Sequence, residues 1–309
     1  MDMHFAPLQG YTDDTYLSCH NKIYGGGYTC YTPFIRIEKG QPRHQDMIRY
    51  KRAADSGLYI VPQVIFRSVD EFTVLAQALK AVGAVRIDLN LGCPYPMQTR
   101  KGRGAAMISD LGVMAEVSRI IADDADVSYS VKMRLGLESR DEWKGLMPVL
   151  NATPLSYVTM HPRLASQLYG GDLYLDSFAE FVSMSVHPVV YNGDILSRED
   201  IDRVSTGFPN LKGVMIGRGM LARPSLIKEW TDGGDMHETG RMAMLRDFHD
   251  MVLARYEEIL CGEAQILQKI KPFWDFMDDA IGHKCSKSIK KASSLAKYRN
   301  AVESIFMFS

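Results

Sequence analysis

One cysteine of this chain stands where a predicted strand ends, in the run IDLNLGCPYPM at residues 87–97. Apolar residues alternate there with Asp88 and Asn90, as in a half-buried strand, and a glycine and two prolines then end the pattern. The stiff loop would hold the thiol of Cys93 just beyond the strand, where it could donate a proton to a substrate. The alternative is a structural role, because a free cysteine is more often a small buried hydrophobic residue.

Polar side chains recur at the ends of the other predicted strands. Taken singly, a glutamine in a strand or a histidine at its end has an ordinary structural explanation. Their recurrence favours a functional site, because polar groups that face the loops have no role in a core. These residues are Gln9, Gln63, Asn90, Lys132, Arg134, His161, Arg163, Asn192, Asp194 and Arg218.

The last two strand ends, NGDI and IGRG, have the composition of a phosphate site. Glycines let backbone N–H groups approach an anion closely, and Arg218 can give a charged fork to its oxygens. The alternative is two ordinary glycine turns beside a solvated arginine. Lys132 and His161 could lie near an electron-rich ring, and the two-sided amide of Gln63 could bond a ring carbonyl and N–H together. This set of residues is a layout for flavin mononucleotide (FMN).

Short apolar segments that alternate with helical ones would position these residues. Ser68 with Glu71, Asp110, and Ser197 with Asp200 are the predicted caps of three of the helices. Eight strands in about 220 residues fit an α/β fold of the (β/α)8 type, the TIM barrel. An open doubly wound sheet is the competitor, but its G-x-G-x-x-G signature after the first strand is absent. The predicted strands are 4–8, 28–35, 59–66, 85–91, 127–134, 156–161, 188–193 and 212–217.

A polar, glycine-rich stretch at 231–240 separates this barrel from a C-terminal part with no strand pattern. We therefore predict a catalytic barrel at 1–232 and a separate helical-bundle domain at 241–309. The predicted helices of this second domain cover residues 241–261, 263–280 and 285–306.

Six basic residues and no acidic one lie between Lys284 and Arg299, in the last of these helices. The apolar residues that we assign to its buried face are Ile289, Ala292, Leu295, Ala296 and Val302. The cations would then project outward and bind RNA phosphates without reading the base sequence. A solvated helix surface is the alternative.

The composition excludes several other classes of protein. A formal net charge of −1 over 309 residues gives no global sign of nucleic-acid binding, so such a role depends on a local patch. No apolar run approaches the roughly 18–20 residues that cross a bilayer, and we see no secretory signal. Five scattered cysteines without a C-x-x-C pair indicate reduced thiols in a cytoplasm, and no metal site. We expect a monomer that does not bind membranes.

Taken together, the motifs resemble the tRNA-dihydrouridine synthase family, FMN enzymes that reduce uridine in RNA with NADPH. The resemblance runs through APLQG, PQVIF, LNLGCP with GRGAAMI, VKMRLG, MHPR, NGDI and IGRG. It implies that Cys93 is the proton donor and that tRNA is the partner. It also implies that FMN is held tightly but non-covalently by Pro7, Leu8, Gln9, Gln63, Lys132, His161, Asn192, Gly193, Asp194, Gly217 and Arg218.

RNA contacts are expected at the barrel mouth and on the C-terminal helices. Arg36, Lys269 and Lys271 match positions that contact RNA in members of the family that this chain resembles. The full set of expected RNA contacts is Arg36, Asn90, Arg134, Lys269, Lys271, Lys287 and Lys291.

Some positions depart from the family pattern. Leu8 stands where a methionine is usual, Pro33 replaces a glutamate and Leu164 replaces a threonine, while Phe66 and Tyr191 replace glycines. The changes at Pro33 and Leu164 touch the mouth and bear on target preference more than on the chemistry, and those at Phe66 and Tyr191 would narrow the pocket.

Two other functions stay open. One is a flavin enzyme acting on a free pyrimidine or another small enone, which would not explain the basic helix. The other is a non-catalytic RNA-binding flavoprotein. The presence of Cys93 and Lys132 argues against this second function.

Overall fold

The strands are parallel and close into a barrel in the computed structural model, which describes residues 1–307. The barrel strands are β1 (Asp2–Phe5), β2 (Thr29–Tyr31), β5 (Ile60–Val61), β6 (Gln63–Val64), β7 (Arg86–Leu91), β8 (Ser128–Gly136), β9 (Leu155–Leu164), β10 (Val189–Asn192) and β11 (Gly213–Ile216). Their order is β5-β2-β1-β11-β10-β9-β8-β7-β6. A short antiparallel ribbon, β3 (Ile37–Glu38) with β4 (Gln41–Pro42), follows β2.

The two ends of this order, β5 and β6, are halves of one strand interrupted by Pro62. Proline has no N–H for a ladder bond, but its carbonyl oxygen accepts a bond from the N–H of Asp88 at 3.0 Å. On the other side, the N–H of Ile35 donates to the carbonyl of Gln63 at 2.7 Å. The ring is therefore closed by eight strands, and the predicted TIM-barrel fold is confirmed.

Helices follow the strands and cover the outside of the barrel. Ser68 and Asp110 accept bonds from Glu71 N–H and Val113 N–H as predicted, and Ser197 forms a complete capping box with Asp200. The helices are α1 (Asp14–Tyr24), α2 (His44–Asp55), α3 (Val69–Ala81), α4 (Pro96–Thr99), α5 (Leu111–Ala122), α6 (Glu142–Ala152), α7 (Leu175–Met184), α8 (Arg198–Gly207), α9 (Arg218–Ala222) and α10 (Leu226–Thr231). A 3₁₀ turn, Gly104–Ser109, precedes α5.

The C-terminal region is helical, but two of its three predicted helices are broken. The observed elements are α11 (Glu238–Ile259), α12 (Glu263–Ile270), α13 (Asp278–Ile281), α14 (His283–Lys291) and α15 (Leu295–Phe306), with a 3₁₀ turn at Lys271–Trp274. The helix predicted for 263–280 ends early because Pro272 cannot continue it. The helix predicted for 285–306 is divided at Ser294, whose hydroxyl caps α15 by accepting from Lys297 N–H. Ala296, predicted to be buried, is exposed.

The helical region packs directly on the barrel through α11 and α1. The ring of Phe248 lies 4.9 Å from that of Tyr16 and 5.4 Å from that of His20, measured between centroids. The hydroxyl of Tyr256 donates to the carboxylate of Asp13, the N-cap of α1, at 3.0 Å. The two parts therefore share one hydrophobic core, and the domain limits at 232 and 241 stay a prediction. Within residues 1–307, no helix combines the length and apolar character needed to cross a membrane.

Candidate active site

A cavity of about 650 Å³ opens at the carboxyl ends of the barrel strands. This volume lies in the range of small-molecule sites, roughly 300–1,000 Å³, and this end of a TIM barrel carries the active site in such enzymes. Cys93, Arg36, Asn90 and Arg134 line it. So does every residue predicted to hold the cofactor: Pro7, Leu8, Gln9, Gln63, Lys132, His161, Asn192, Gly193, Asp194, Gly217 and Arg218.

A chain of hydrogen bonds connects the Cys93 loop to the barrel interior. The N–H of Cys93 donates to Asn90 Oδ1 at 2.8 Å, and Asn90 Nδ2 donates to Gln63 Oε1 at 2.6 Å. Gln63 Nε2 donates in turn to Asp88 Oδ2 at 2.7 Å. The other oxygen of Asp88 accepts from the hydroxyl of Ser130 at 2.6 Å. From the sequence, Asp88 was interpreted only as part of the strand pattern.

The thiol of Cys93 is held by close backbone packing. The Cys93 carbonyl accepts a bond from Ala105 N–H at 3.1 Å. Gly104 has φ +63°, and a Cβ atom at that position would lie 2.6 Å from the same carbonyl oxygen, so only glycine fits. This contact explains why GRGAAMI accompanies LNLGCP. Cys93 as a residue is 7% exposed, and burial raises the pKa of its thiol above the usual value.

Three cationic or basic side chains form one wall of the cavity. Burial and the neighbouring Arg134 lower the pKa of Lys132 to about 8. Burial lowers the pKa of Arg134 to about 10. The guanidinium of Arg134 donates a hydrogen bond to the carbonyl oxygen of Leu164 at 2.7 Å. Burial and the surrounding cations hold the pKa of His161 well below its usual value, so this imidazole is neutral at pH 7.

Two of these groups lack partners among the described residues. His161 Nε2 is buried and unbonded, and Lys132 Nζ makes no hydrogen bond or ion pair within the part of the chain that the structure describes. An unpaired buried imidazole is costly, and the half-buried Lys132 lines the cavity, so both suit a ligand that carries acceptors and negative charge. The residues present therefore fit a flavin with a phosphate tail.

The loops after β10 and β11 approach each other closely. A Cβ atom at Gly219 would lie 2.1 Å from the carbonyl oxygen of Ile195. Asn192 Nδ2 donates to the carbonyl of Met215 at 2.8 Å, which ties the two loops together. The amide nitrogen of Asn192 is therefore engaged by a backbone carbonyl of the protein.

Asp194 adopts φ +40° and is clamped by two arginines. Arg163 donates to its carboxylate at 2.8 Å, and Arg218 donates to it at 2.8 Å. The Arg163 bonds, with Arg218 nearby, hold the pKa of Asp194 below its usual value. An ionised carboxylate repels phosphate, so the side chain of Asp194 orients Arg218, and only its backbone N–H suits the phosphate. Arg163 had no predicted role beyond its place at a strand end.

Aromatic residues line the mouth, and none of them was predicted from the sequence. The Tyr169 ring lies under two guanidinium groups, 5.4 Å from that of Arg134 and 4.9 Å from that of Arg218. From the C-terminal region, Phe276 reaches the cavity and packs against Tyr11 with ring centroids 5.2 Å apart. Their scattered positions, in loops after different strands, left no periodic signal.

The lysines predicted to contact RNA differ in their surroundings. Lys269 Nζ donates to Asp13 Oδ2 at 3.1 Å, so it joins the C-terminal region to the cap of α1. Lys271 Nζ donates to the carbonyl of Lys290 at 3.1 Å. Lys287 and Lys291 are exposed on α14 and have no ion pair among residues 1–307.

All five cysteines are free in the structure. Over the described residues, no group of three or more histidines, cysteines or carboxylates is arranged to hold a metal ion.

The fold and the cavity define a TIM-barrel enzyme whose site suits an anionic, ring-bearing cofactor. A model of the dihydrouridine synthase family matches residues 4–304. The chain belongs to the dihydrouridine synthase family and is an oxidoreductase.

Named relatives agree with this assignment. The tRNA-dihydrouridine(16) synthase of Neisseria meningitidis is 27% identical over 267 residues, which cover 81% of this chain and 79% of that protein. The Pseudomonas syringae protein of the same name is 29% identical over 74% of each chain. The human tRNA-dihydrouridine(47) synthase [NAD(P)(+)]-like is 33% identical over 58% of this chain but 28% of its own length.

Among solved structures, morphinone reductase superposes with a TM-score of 0.55, covering 79% of this chain and 88% of its own. At 13% identity this similarity supports the barrel fold alone.

Proposed function

We propose that this protein reduces uridine to 5,6-dihydrouridine in tRNA, with FMN bound in the barrel cavity and NADPH as reductant. The supporting observation is the joint placement, in one cavity, of a protonated thiol, Cys93, and two unpartnered basic groups, Lys132 and His161. Family membership supports the reaction, and relatives named for positions 16 and 47 of tRNA support the substrate.

The cavity offers complementary groups for each part of FMN. The unpartnered Lys132 and His161, with the amide of Gln63, would meet the acceptors of the flavin ring. Pro7, Leu8 and Gln9 would lie along the ring, after β1. Arg218, oriented by Asp194, and the backbone N–H groups near Gly193 and Gly217 would hold the phosphate. FMN bound there would supply the hydride, drawn from NADPH, for one carbon of the uracil double bond.

Cys93 supplies the proton to the other carbon of that double bond. Its raised pKa keeps the thiol protonated at neutral pH, which is the state that a general acid needs. The bond from its N–H to Asn90 and the packing of Gly104 hold the thiol in place over the cavity. The thiolate left after transfer regains its proton from solvent.

RNA would approach across the mouth and the C-terminal helices. Arg36 lies at the rim, where its guanidinium nitrogen is 3.9 Å from the carboxylate oxygen of Glu38. The exposed and unpaired Lys287 and Lys291 would bind phosphates with their ammonium groups. Lys269, which is paired with Asp13, would act on RNA mainly by fixing the helices that carry these cations. A cytoplasmic monomer remains our prediction.

The test combines cofactor binding with substrate choice. Purified protein should be yellow, and FMN-loaded protein with NADPH under anaerobic conditions should form dihydrouridine in a transcript of tRNA. Free uridine and uracil serve as matched substrates. Turnover of the free pyrimidine alone would instead assign a small-molecule reductase, and flavin binding without any turnover would assign a non-catalytic flavoprotein. Mapping dihydrouridine in cellular RNA with and without this protein would then name the modified position.

A further inference from the structure

Asp88 is a buried carboxylate that the proposed reaction does not use directly. It has no exposed surface and does not line the cavity. Its two oxygens accept from Gln63 Nε2 at 2.7 Å and from the Ser130 hydroxyl at 2.6 Å. Each of these donors stands on a neighbouring strand, so Asp88 on β7 lies between β6 and β8.

An ionised carboxylate can only accept hydrogen bonds, and this restriction sets the orientation of Gln63, at one end of a chain of amides. Gln63 must turn its nitrogen toward Asp88, which leaves its oxygen for Asn90 Nδ2 at 2.6 Å. At the other end of the chain, the Asn90 oxygen accepts from the N–H groups of Gly92 and Cys93, at 3.1 and 2.8 Å, which orients this amide in the same sense. Without the carboxylate, Gln63 Nε2 loses its anionic acceptor, and only the two backbone N–H groups at the Asn90 end still orient the chain.

Both amides also face the cavity, and each has a second N–H hydrogen that the chain does not use. We propose that Asp88 is a positioning residue that acts through Gln63 and Asn90. It holds Gln63 so that the cavity presents N–H donors to carbonyl groups of the flavin ring, and through Gln63 it supports the Asn90 amide that holds the Cys93 N–H. This inference rests on the proposed flavin-dependent function.

The charge of Asp88 is the controlling variable. Burial raises its pKa to about 6, against the effect of its bonds to Ser130 and Gln63 and of the nearby Lys132. The other titratable groups that face it are Lys132 on β8, Tyr157 on β9 and Tyr31 on β2. Lys132 stays protonated below pH 8 and both tyrosines stay neutral, so Asp88 alone in this group titrates between pH 5 and 7.

Asp88→Asn keeps the shape and removes the charge. Its amide can donate or accept, so Gln63 can present its oxygen to the ring carbonyl. We expect the FMN affinity of the apoprotein at pH 8 to fall by roughly 10- to 100-fold, the loss expected for a charge-assisted bond replaced by an unfavourable contact. Uridine reduction should fall in kcat as well, because a turned Gln63 no longer accepts from Asn90 Nδ2 and so loosens the amide that holds the Cys93 N–H.

The pH profile separates this role from a structural one. Riboflavin is the probe, because it lacks the phosphate, which itself titrates near pH 6. The affinity of the parent for riboflavin should be high above pH 6 and fall as the pH drops through 6. The affinity of Asp88→Asn for riboflavin should be low and independent of pH. Ser130→Ala is the matched control: it keeps the Gln63 bond but loses a donor that lowers the Asp88 pKa, so the fall should move to higher pH.

The outcomes are distinct. A parent profile that is flat from pH 5 to 8, or Asp88→Asn with parent affinity at pH 8, would overturn the positioning role while leaving the proposed function intact. Failure of the parent to bind either flavin would overturn the proposed function itself. If Asp88→Asn does not fold, the shift between the parent and Ser130→Ala profiles decides: a shift to higher pH supports the role, and coincident profiles refute it.

Discussion

Replacement of Cys93 by alanine removes the proposed acid and leaves the loop that carries it. The bonds of this residue to Asn90 and Ala105 use its backbone N–H and carbonyl, and these atoms remain. The deleted sulfur is nearly buried, at 7% exposure of the residue, so the small cavity should cost about 1 kcal/mol of stability. We therefore expect Cys93→Ala to fold, to bind FMN and to accept hydride from NADPH at the parent rate.

Uridine reduction should fall much further. A general acid contributes about 10²- to 10⁴-fold, which corresponds to about 3–5 kcal/mol in the activation free energy. The acid must be protonated to act, and burial raises its pKa. The parent rate should therefore be constant through neutral pH and decrease only above the usual range of a thiol, whereas the residual rate of Cys93→Ala should lack this decrease.

Stopped-flow absorbance under anaerobic conditions separates the two half-reactions. Flavin bleaching reports reduction by NADPH, and the return of colour on mixing with a tRNA transcript reports uridine reduction. Cys30→Ala is the matched control, since it also removes a buried thiol, but from β2 and at a position that does not line the cavity. An equal loss in both half-reactions would make Cys93 structural, and parent-like uridine reduction would refute the assignment of the acid.

Three further predictions concern the phosphate site, the RNA surface and acid stability. Arg218→Ala should lower FMN affinity by about 30–150-fold, or about 2–3 kcal/mol, in a fluorescence titration. Reversing Lys287 and Lys291 to Glu should lower the salt slope of RNA binding, measured at several salt concentrations, by about 0.7–0.9 for each phosphate that is no longer neutralised. Burial lowers the pKa of His20 to about 4, so the unfolded state binds one more proton between pH 6.5 and 4. The free energy of unfolding should thus decrease by up to about 3 kcal/mol as the pH falls through this range, and His20→Gln should weaken that dependence in urea titrations.

Each of these three predictions has an outcome that would contradict it. FMN held as tightly by Arg218→Ala as by the parent would remove the phosphate assignment. Lys212→Glu, at the opposite end of the barrel beside Asp2, is the control for the RNA surface. If it changes the salt slope as much as the reversal on α14 does, binding is non-specific. An unchanged pH dependence in His20→Gln would show that His20 is not the group that takes up the proton.

The barrel could be predicted because each of its signals is local. Alternation of apolar residues within six to eight positions marks a strand, and a serine or aspartate before an apolar helix marks its start. The same locality explains the errors in the C-terminal region. The helical spacing of apolar residues continues across Ser294, and a run of apolar residues around Pro272 hides the helix end that this proline imposes. Three helices were therefore predicted where the described residues form five.

Most of the polar side chains that line the cavity could be predicted from the sequence, because the carboxyl ends of the strands meet at its mouth. Arg163 was expected there but does not line the cavity, and the aromatic residues line it without having been predicted. The groups that these side chains bind could not be predicted from the sequence. Asp194 faces Arg163 and Arg218, and Lys269 faces Asp13, across separations of 24 to 256 residues. Only the tertiary structure decides such pairs: the closed ring of strands brings Asp194 to its arginines, and the packing of the C-terminal helices on α1 brings Lys269 to Asp13. For the same reason Asp88, one polar residue in an alternating strand, became the acceptor that orients Gln63 only once β6 and β7 were paired.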